Sequence, residues 1–197
     1  NFTIENAHWE LIAPWVKTTQ EVQVGREKFN TLNATAERLF ESKLFKPAAL
    51  NNRCLVLSSG FYEWRHYKPA GAIKEIAYPY FITIKEQSLF YMAGIFQPWT
   101  DKETGETMDT FSIVTTKANA FMEQIHNKKK RMPTILNATQ AVEWLAPNLS
   151  ENKIMELATS SIDANQLSAY TIHKNFRTDT NPLQSFEYEE LPQLNSI

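Results

Sequence analysis

The sequence is poor in cysteine, glycine and long apolar runs, and each shortage closes off a class of protein. A single cysteine, Cys54, cannot build an internal disulfide framework. Five glycines, set against 5 Trp, 7 Tyr and 12 Phe, exclude a disordered low-complexity chain. No stretch has membrane length and nothing resembles a signal peptide, so a reducing, cytoplasmic setting without membrane contact is expected. An excess of one charge is lacking too: the formal net charge is -2, so any nucleic-acid contact must come from a local patch. His8, His66, His126 and His173 are too scattered for the close spacings of zinc sites, so neither a metal nor another cofactor is expected.

What is present suits one buried core: 197 residues, 43% of them hydrophobic, read as a single domain over 1–197 and as a monomer by default. Apolar, β-favouring runs occur at Cys54–Leu57, Phe61–Trp64, Tyr78–Ile84, Leu89–Phe96 and Phe111–Thr116. A bend through Ser58-Ser59-Gly60 separates the first two, and a charged turn from Asp101 to Asp109 separates the last two. Strands so closely spaced pair antiparallel, since parallel crossovers need a dozen or more residues. Helical spacing appears at Ala36, Leu39, Phe40 and Leu44, at Ala118 to Ile125, around Val142 and Leu145, and at Ile154, Leu157 and Ala158. Asn137 with Gln140 predicts an N-cap. Strands in the middle followed by helices make an α+β fold. The tail from Lys174 to Ile197, polar and with Pro182 and Pro192, is expected to wrap the surface or fray.

Four features bear on chemistry. Glu63 shares the face of its strand with Phe61, so burial would raise its carboxyl pKa and suit it to acid/base work. The plainer alternative is a solvent-facing glutamate paired with Arg65 or Lys68. His126 precedes Asn127-Lys128-Lys129-Lys130-Arg131, the densest positive cluster in the chain, and would bind phosphate or move a proton; a solvated loop is the alternative. Asn33 reads as a helix cap, or as an amide donating to a ligand. Trp9 and Trp15 offer aromatic surface for stacking a base or for core packing, and Cys54 reads as a core thiol rather than a nucleophile.

Read in order, Trp9-Glu10-Leu11-Ile12-Ala13-Pro14-Trp15, Leu32-Asn33-Ala34-Thr35-Ala36-Glu37, Asn52-Arg53-Cys54-Leu55-Val56, Gly60-Phe61-Tyr62-Glu63-Trp64, Ile125-His126 and Arg131-Met132-Pro133-Thr134-Ile135-Leu136 resemble the blocks of the SOS response-associated peptidase (SRAP) family. The resemblance runs strongly from Trp9 to Trp144 and weakly beyond. It implies an α+β domain around an antiparallel, β-barrel-like sheet with flanking helices, and a basic groove for single-stranded DNA carrying abasic sites. It also implies nucleoid association on DNA and removal of the initiator methionine by a peptidase-like step. The family nucleophile is an N-terminal cysteine whose α-amine and thiol attack the aldehyde of a ring-opened abasic deoxyribose, first as a Schiff base, then as a thiazolidine. By resemblance Asn33 bonds at that cysteine, Glu63 orients or deprotonates its amine, and His126 contacts the sugar and assists ring opening. Arg131 binds phosphate and Trp15 lies at the DNA face.

The chain departs from the family pattern at three points. Thr35 stands where relatives read Asn-Ala-Arg, leaving Arg38 to supply a phosphate contact. Lys128, Lys129 and Lys130 are inserted between His126 and Arg131 and would extend the DNA-binding loop. The chain opens at Asn1 without Met-Cys-Gly-Arg, so an upstream segment of a few dozen residues bearing the cysteine is expected. Two further readings stay open: a single-stranded DNA binding module without cross-linking, and a hydrolase using Glu63 and His126 in one cleft.

Overall fold

The computed structural model describes residues 3–195, so the first two residues and the last two of the polar tail lie outside it. In chain order the first elements are β1 (His8–Trp9), α1 (Thr19–Arg26), β2 (Asn33–Thr35), α2 (Phe45–Asn51), β3 (Arg53–Ser58) and β4 (Phe61–Tyr67). There follow β5 (Ile76–Ile84), β6 (Phe90–Thr100), β7 (Thr107–Lys117), α3 (Ala120–Ile125), β8 (Arg131–Pro133) and β9 (Ile135–Leu136). The chain continues with α4 (Ala138–Trp144), α5 (Glu151–Ala158) and β10 (Leu167–Thr171). These residues form two compact units, each assembled from separate stretches of sequence.

The first unit takes the chain up to Val56, then Tyr91–Thr116 and Pro133–Ser160. Its sheet follows the open order β1-β7-β6-β3, with β2 also on β7 and β9 on β6. The β6–β7 hairpin is antiparallel as expected, whereas β1 and β2 pair with β7 in parallel. Two-residue and three-residue edge strands reach that register because long excursions separate them from β7. The core joins Ala93, Ile95 and Val114 of the sheet to Ala48, Ala49, Trp144, Ile154 and Leu157 of the helices. Fully buried, Trp144 donates its indole N–H to the carbonyls of Cys54 at 3.0 Å and Gly94 at 3.2 Å. The hairpin loop is shorter than the charge pattern suggests, since β7 begins at Thr107. Asp101 opens it and accepts from the Thr19 hydroxyl and N–H and from the N–H groups of Glu103 and Thr104, which hold its carboxyl down at about 2.

Several sequence expectations hold here and two need correction. Asn137 closes a capping box with Gln140, and α5 buries Ile154, Leu157 and Ala158. In α4 the period is right but the phase is not: Val142 is exposed while Ala141 and Trp144 are buried. No continuous helix spans Ala36 to Leu44; only a 3-10 turn forms at Ala36–Arg38. The Ser42 hydroxyl accepts from the N–H groups of Leu44 and Phe45, and a side chain that captures backbone donors in this way ends one helical run and starts another. Ala36 and Leu39 are buried all the same.

The second unit takes Leu57–Phe90, Lys117–Met132 and the chain from Ser161 onward. Its sheet runs β10-β5-β4, antiparallel throughout. The central strand β5 is buried on both faces, Tyr78, Tyr80, Ile82 and Ile84 on one and Phe81 on the other. Pro79 is tolerated in it because its nitrogen lies on the side of its carbonyl, which accepts from Ile172 just past the end of β10. Phe81, Ile172 and Phe176 pack with Tyr62, Trp64 and Tyr170. Gly60 is required here by space rather than by a bend: a Cβ on it would stand 2.2 Å from the Phe81 ring.

Candidate active site

On β4, Phe61, Glu63 and Arg65 alternate onto one face, and Tyr80 of β5 lies directly across from Glu63. Neither plain partner takes the carboxylate: Arg65 donates instead to the Tyr80 hydroxyl at 3.4 Å and to the Pro192 carbonyl. Burial pushes the Glu63 carboxyl up to about 7, against the opposing pull of the Trp64 N–H and the Lys129 charge.

Helix α3 brings the second group. It starts one residue after Asn119, whose side chain accepts from the Met122 N–H at 3.0 Å, not at Ala118 as the spacing suggests. Met122 and Ile125 are buried, so the helix end is fixed, and His126 is its C-cap. The imidazole Nδ1 lies 2.8 Å from the Arg131 carbonyl and 3.4 Å from Glu63 Oε1, with both side chains about one-fifth exposed. A carbonyl only accepts, so Nδ1 carries the proton and Nε2 is left with its lone pair. Burial lowers the His126 pKa, and the Lys129 and His66 charges lower it further, although the Arg131 carbonyl raises it. An ion pair would have moved both groups the other way. Glu63 and His126 therefore meet as an acid and a base that are both inclined to neutrality near pH 7.

The loop from His126 to Arg131 is closed by the Lys130 N–H on the His126 carbonyl at 2.8 Å, with Lys130 in the left-handed region at φ 50°. Asn127 pins it to β4: its Oδ1 accepts from the His66 N–H at 3.0 Å and its Nδ2 donates to the His66 carbonyl at 2.8 Å. The three lysines are not equivalent. Lys128 pairs with Glu75 at 2.6 Å and Lys130 with Glu123 at 3.7 Å, whereas the charge of Lys129 acts on both Glu63 and His126. Arg131 begins β8 with its guanidinium partly buried.

The other candidate residues belong to the first unit. Asn33 is not a helix cap; it opens β2 opposite Ile113, exposed, and among the described residues its carboxamide takes no hydrogen bond. Trp15 is 58% exposed, and Trp9 is held at the surface by an indole bond to the Leu32 carbonyl, next to Asn33. Arg38 forms an exposed ion pair with Glu41 at 3.0 Å, a weak and easily exchanged contact. Burial, helped by Asp109, raises the Cys54 thiol to about 12, which suits a packing role. Sequence reasoning assigned no role to Asn127 or Arg53. Arg53 gives its guanidinium to the carbonyls of Ala49, Leu50, Trp144 and Ala146 at the ends of α2 and α4. An arginine just past one helix and an asparagine just past a C-cap were the available signals. Among the described residues no three His, Cys, Asp or Glu side chains form a metal-ligand set, and no helix is long and apolar enough to cross a membrane.

The family model described as SOS response associated peptidase (SRAP) matches residues 1–178. The chain is 33% identical over 172 residues to the abasic site processing protein YoqW of Bacillus subtilis (strain 168), covering 87% of this chain and 70% of that one. It is 31% identical to the abasic site processing protein HMCES of Xenopus tropicalis over 70% of this chain, spanning 43% of that longer protein. A crystal structure of a protein from Bacteroides thetaiotaomicron is similar at a TM-score of 0.80 and 37% identity, covering 91% of this chain and 75% of that one.

Proposed function

The chain belongs to the SOS response-associated peptidase (SRAP) family, and from that premise we propose that it senses abasic sites in single-stranded DNA and takes part in cross-linking to them. The observation that carries this reading is the contact of Glu63 with His126 at 3.4 Å, both held toward neutrality by burial.

The proposed chemistry is a condensation. The amine adds to the deoxyribose aldehyde, the carbinolamine loses water to give a Schiff base, and the thiol adds across that bond to close a thiazolidine, so one water leaves for each adduct. Glu63, near half-protonated around pH 7, takes the proton from the attacking amine and returns it to the departing hydroxyl. His126 Nε2, the ring nitrogen not committed to the Arg131 carbonyl, receives the sugar hydroxyl proton as the hemiacetal ring opens. In the second unit Lys129 and Arg131 take phosphates, with Lys128 and Lys130 lending charge once DNA displaces their acidic partners; for Asn33, Trp15 and Arg38 of the first unit the family resemblance alone supplies roles, Asn33 at the nucleophile and the other two on the strand. Cys54 is not the nucleophile, because its amine is a peptide nitrogen and its thiol is raised to about 12. By the resemblance to the family, that role falls to an N-terminal cysteine freed by removal of methionine.

The test mixes the intact, methionine-processed protein with a single-stranded oligonucleotide bearing one abasic site and reads a denaturing gel. A band that survives denaturation, formed about a hundredfold more slowly by Glu63→Gln and His126→Ala, is the expected result. Salt-sensitive binding without a stable band would leave a binding module instead. The same two side chains in contact would also serve a hydrolase, but the relatives named for abasic-site processing favour the DNA reading.

A further inference from the structure

Beyond Thr178 the chain leaves the segment that the family model matches, yet it remains bonded to the second unit. Its root is firm. Tyr188 packs edge-on against Tyr78 with centroids 4.9 Å apart, and the Lys174 ammonium lies 4.9 Å and 5.3 Å from those two rings. The Tyr78 hydroxyl donates to Glu190 at 2.8 Å, and the Tyr188 hydroxyl donates to the Ile172 carbonyl at 3.0 Å.

Past this root the chain makes contacts that a surface wrapping alone does not need. The Pro192 carbonyl accepts from Arg65, two residues after Glu63 on β4. Three residues later, Asn195 and Gln124 exchange two hydrogen bonds: the Asn195 N–H donates to Gln124 Oε1 at 2.7 Å, and Gln124 Nε2 donates to the Asn195 carbonyl at 3.2 Å. Gln124 lies two residues before His126 on α3. The last described stretch thus ties the strand that carries Glu63 to the helix that ends in His126.

We propose that residues 191–195 are a positioning strap, acting through Arg65 and Gln124, that sets the spacing of Glu63 and His126 and keeps water from between them. The inference deepens the site described above and rests on that reading for its catalytic consequence, though its geometric part stands alone. Arg65 and Gln124 are positioning residues, since neither touches the acid or the base. The charged or titratable groups facing His126 are Glu63 and His66 from β4 and Lys129 from its own loop, and the strap adds none of its own there. Its effect is therefore on distance and solvent access, not on local charge.

The experiment compares the intact protein with Gln124→Ala, Asn195→Pro, the two combined, and deletion of residues 191–197, which keeps Tyr188 and Glu190 and so the root. The His126 ring is titrated by NMR alongside a thermal melt and the cross-linking rate. With the melt unchanged, each variant should move the His126 titration up toward the ordinary imidazole value as water enters, and slow cross-linking on the order of tenfold. The combined substitution should shift it no further than either alone, since both remove one contact. A His126 titration that stays put in all four variants overturns the strap, whatever the gel shows. Should the unaltered protein form no adduct while the titration still shifts, the strap stands and the cross-linking reading falls.

Discussion

Burial moves Glu63 up and His126 down, and the two leave opposite marks on stability. A carboxyl raised to about 7 in the folded chain still ionises near 4.5 when unfolded, so unfolding is favoured increasingly between those values. Stability from this group is full below the unfolded value and lost as pH rises through the folded one. Glu63→Gln should therefore stabilise the fold by about 2 kcal/mol at pH 8 relative to its effect at pH 4, after allowance for partial exposure, as read by urea unfolding at both pH values. His126 behaves in the reverse sense: its depressed pKa costs stability as pH falls below the ordinary imidazole range. Activity that needs Glu63 able to accept a proton and His126 neutral should rise with pH through about 7, and the rise should vanish in Glu63→Gln.

Among elements, the ends of α2 and α4 matter most, because a helix end leaves carbonyls that need donors. Arg53 answers four of them, and its planar fork is what lets one side chain reach both helices. Arg53→Ala should cost about 3 kcal/mol in chemical denaturation, and Arg53→Lys should recover less than half of that, since an ammonium lacks the fork. Much of the element pattern was legible in sequence: β3 to β7, α5 and the Asn137–Gln140 box all follow from local alternation or capping chemistry. The short strands β1 and β2 and the broken helix after Ala36 were not, because their conformations depend on β7 and on the Ser42 hydroxyl rather than on their own periodicity.

For the whole molecule, a net charge of -2 means that DNA binding rests on few cations, and two of the three inserted lysines already face carboxylates. With about three phosphates engaged, affinity for an undamaged single strand should fall roughly 20-fold between 50 and 200 mM salt. Lys129→Ala should reduce the slope of log affinity against log salt by about 0.7, whereas Lys128→Ala should reduce it less. Fluorescence anisotropy across a salt series separates these outcomes.

The α+β class, the family and the reading of Cys54 as a packing thiol were legible in the sequence alone, because each depends on local alternation or on ordered motifs; alternation also put Glu63 on the Phe61 face of β4, but whether that face was covered stayed open. It took the folded chain to show that Glu63 touches His126 rather than Arg65 or Lys68, that Lys129 is the lysine acting on both, and that the polar tail reaches Gln124. Those contacts join β4, α3 and the chain's last turns. Burial and field come from neighbours in space, and local pattern does not specify who they are.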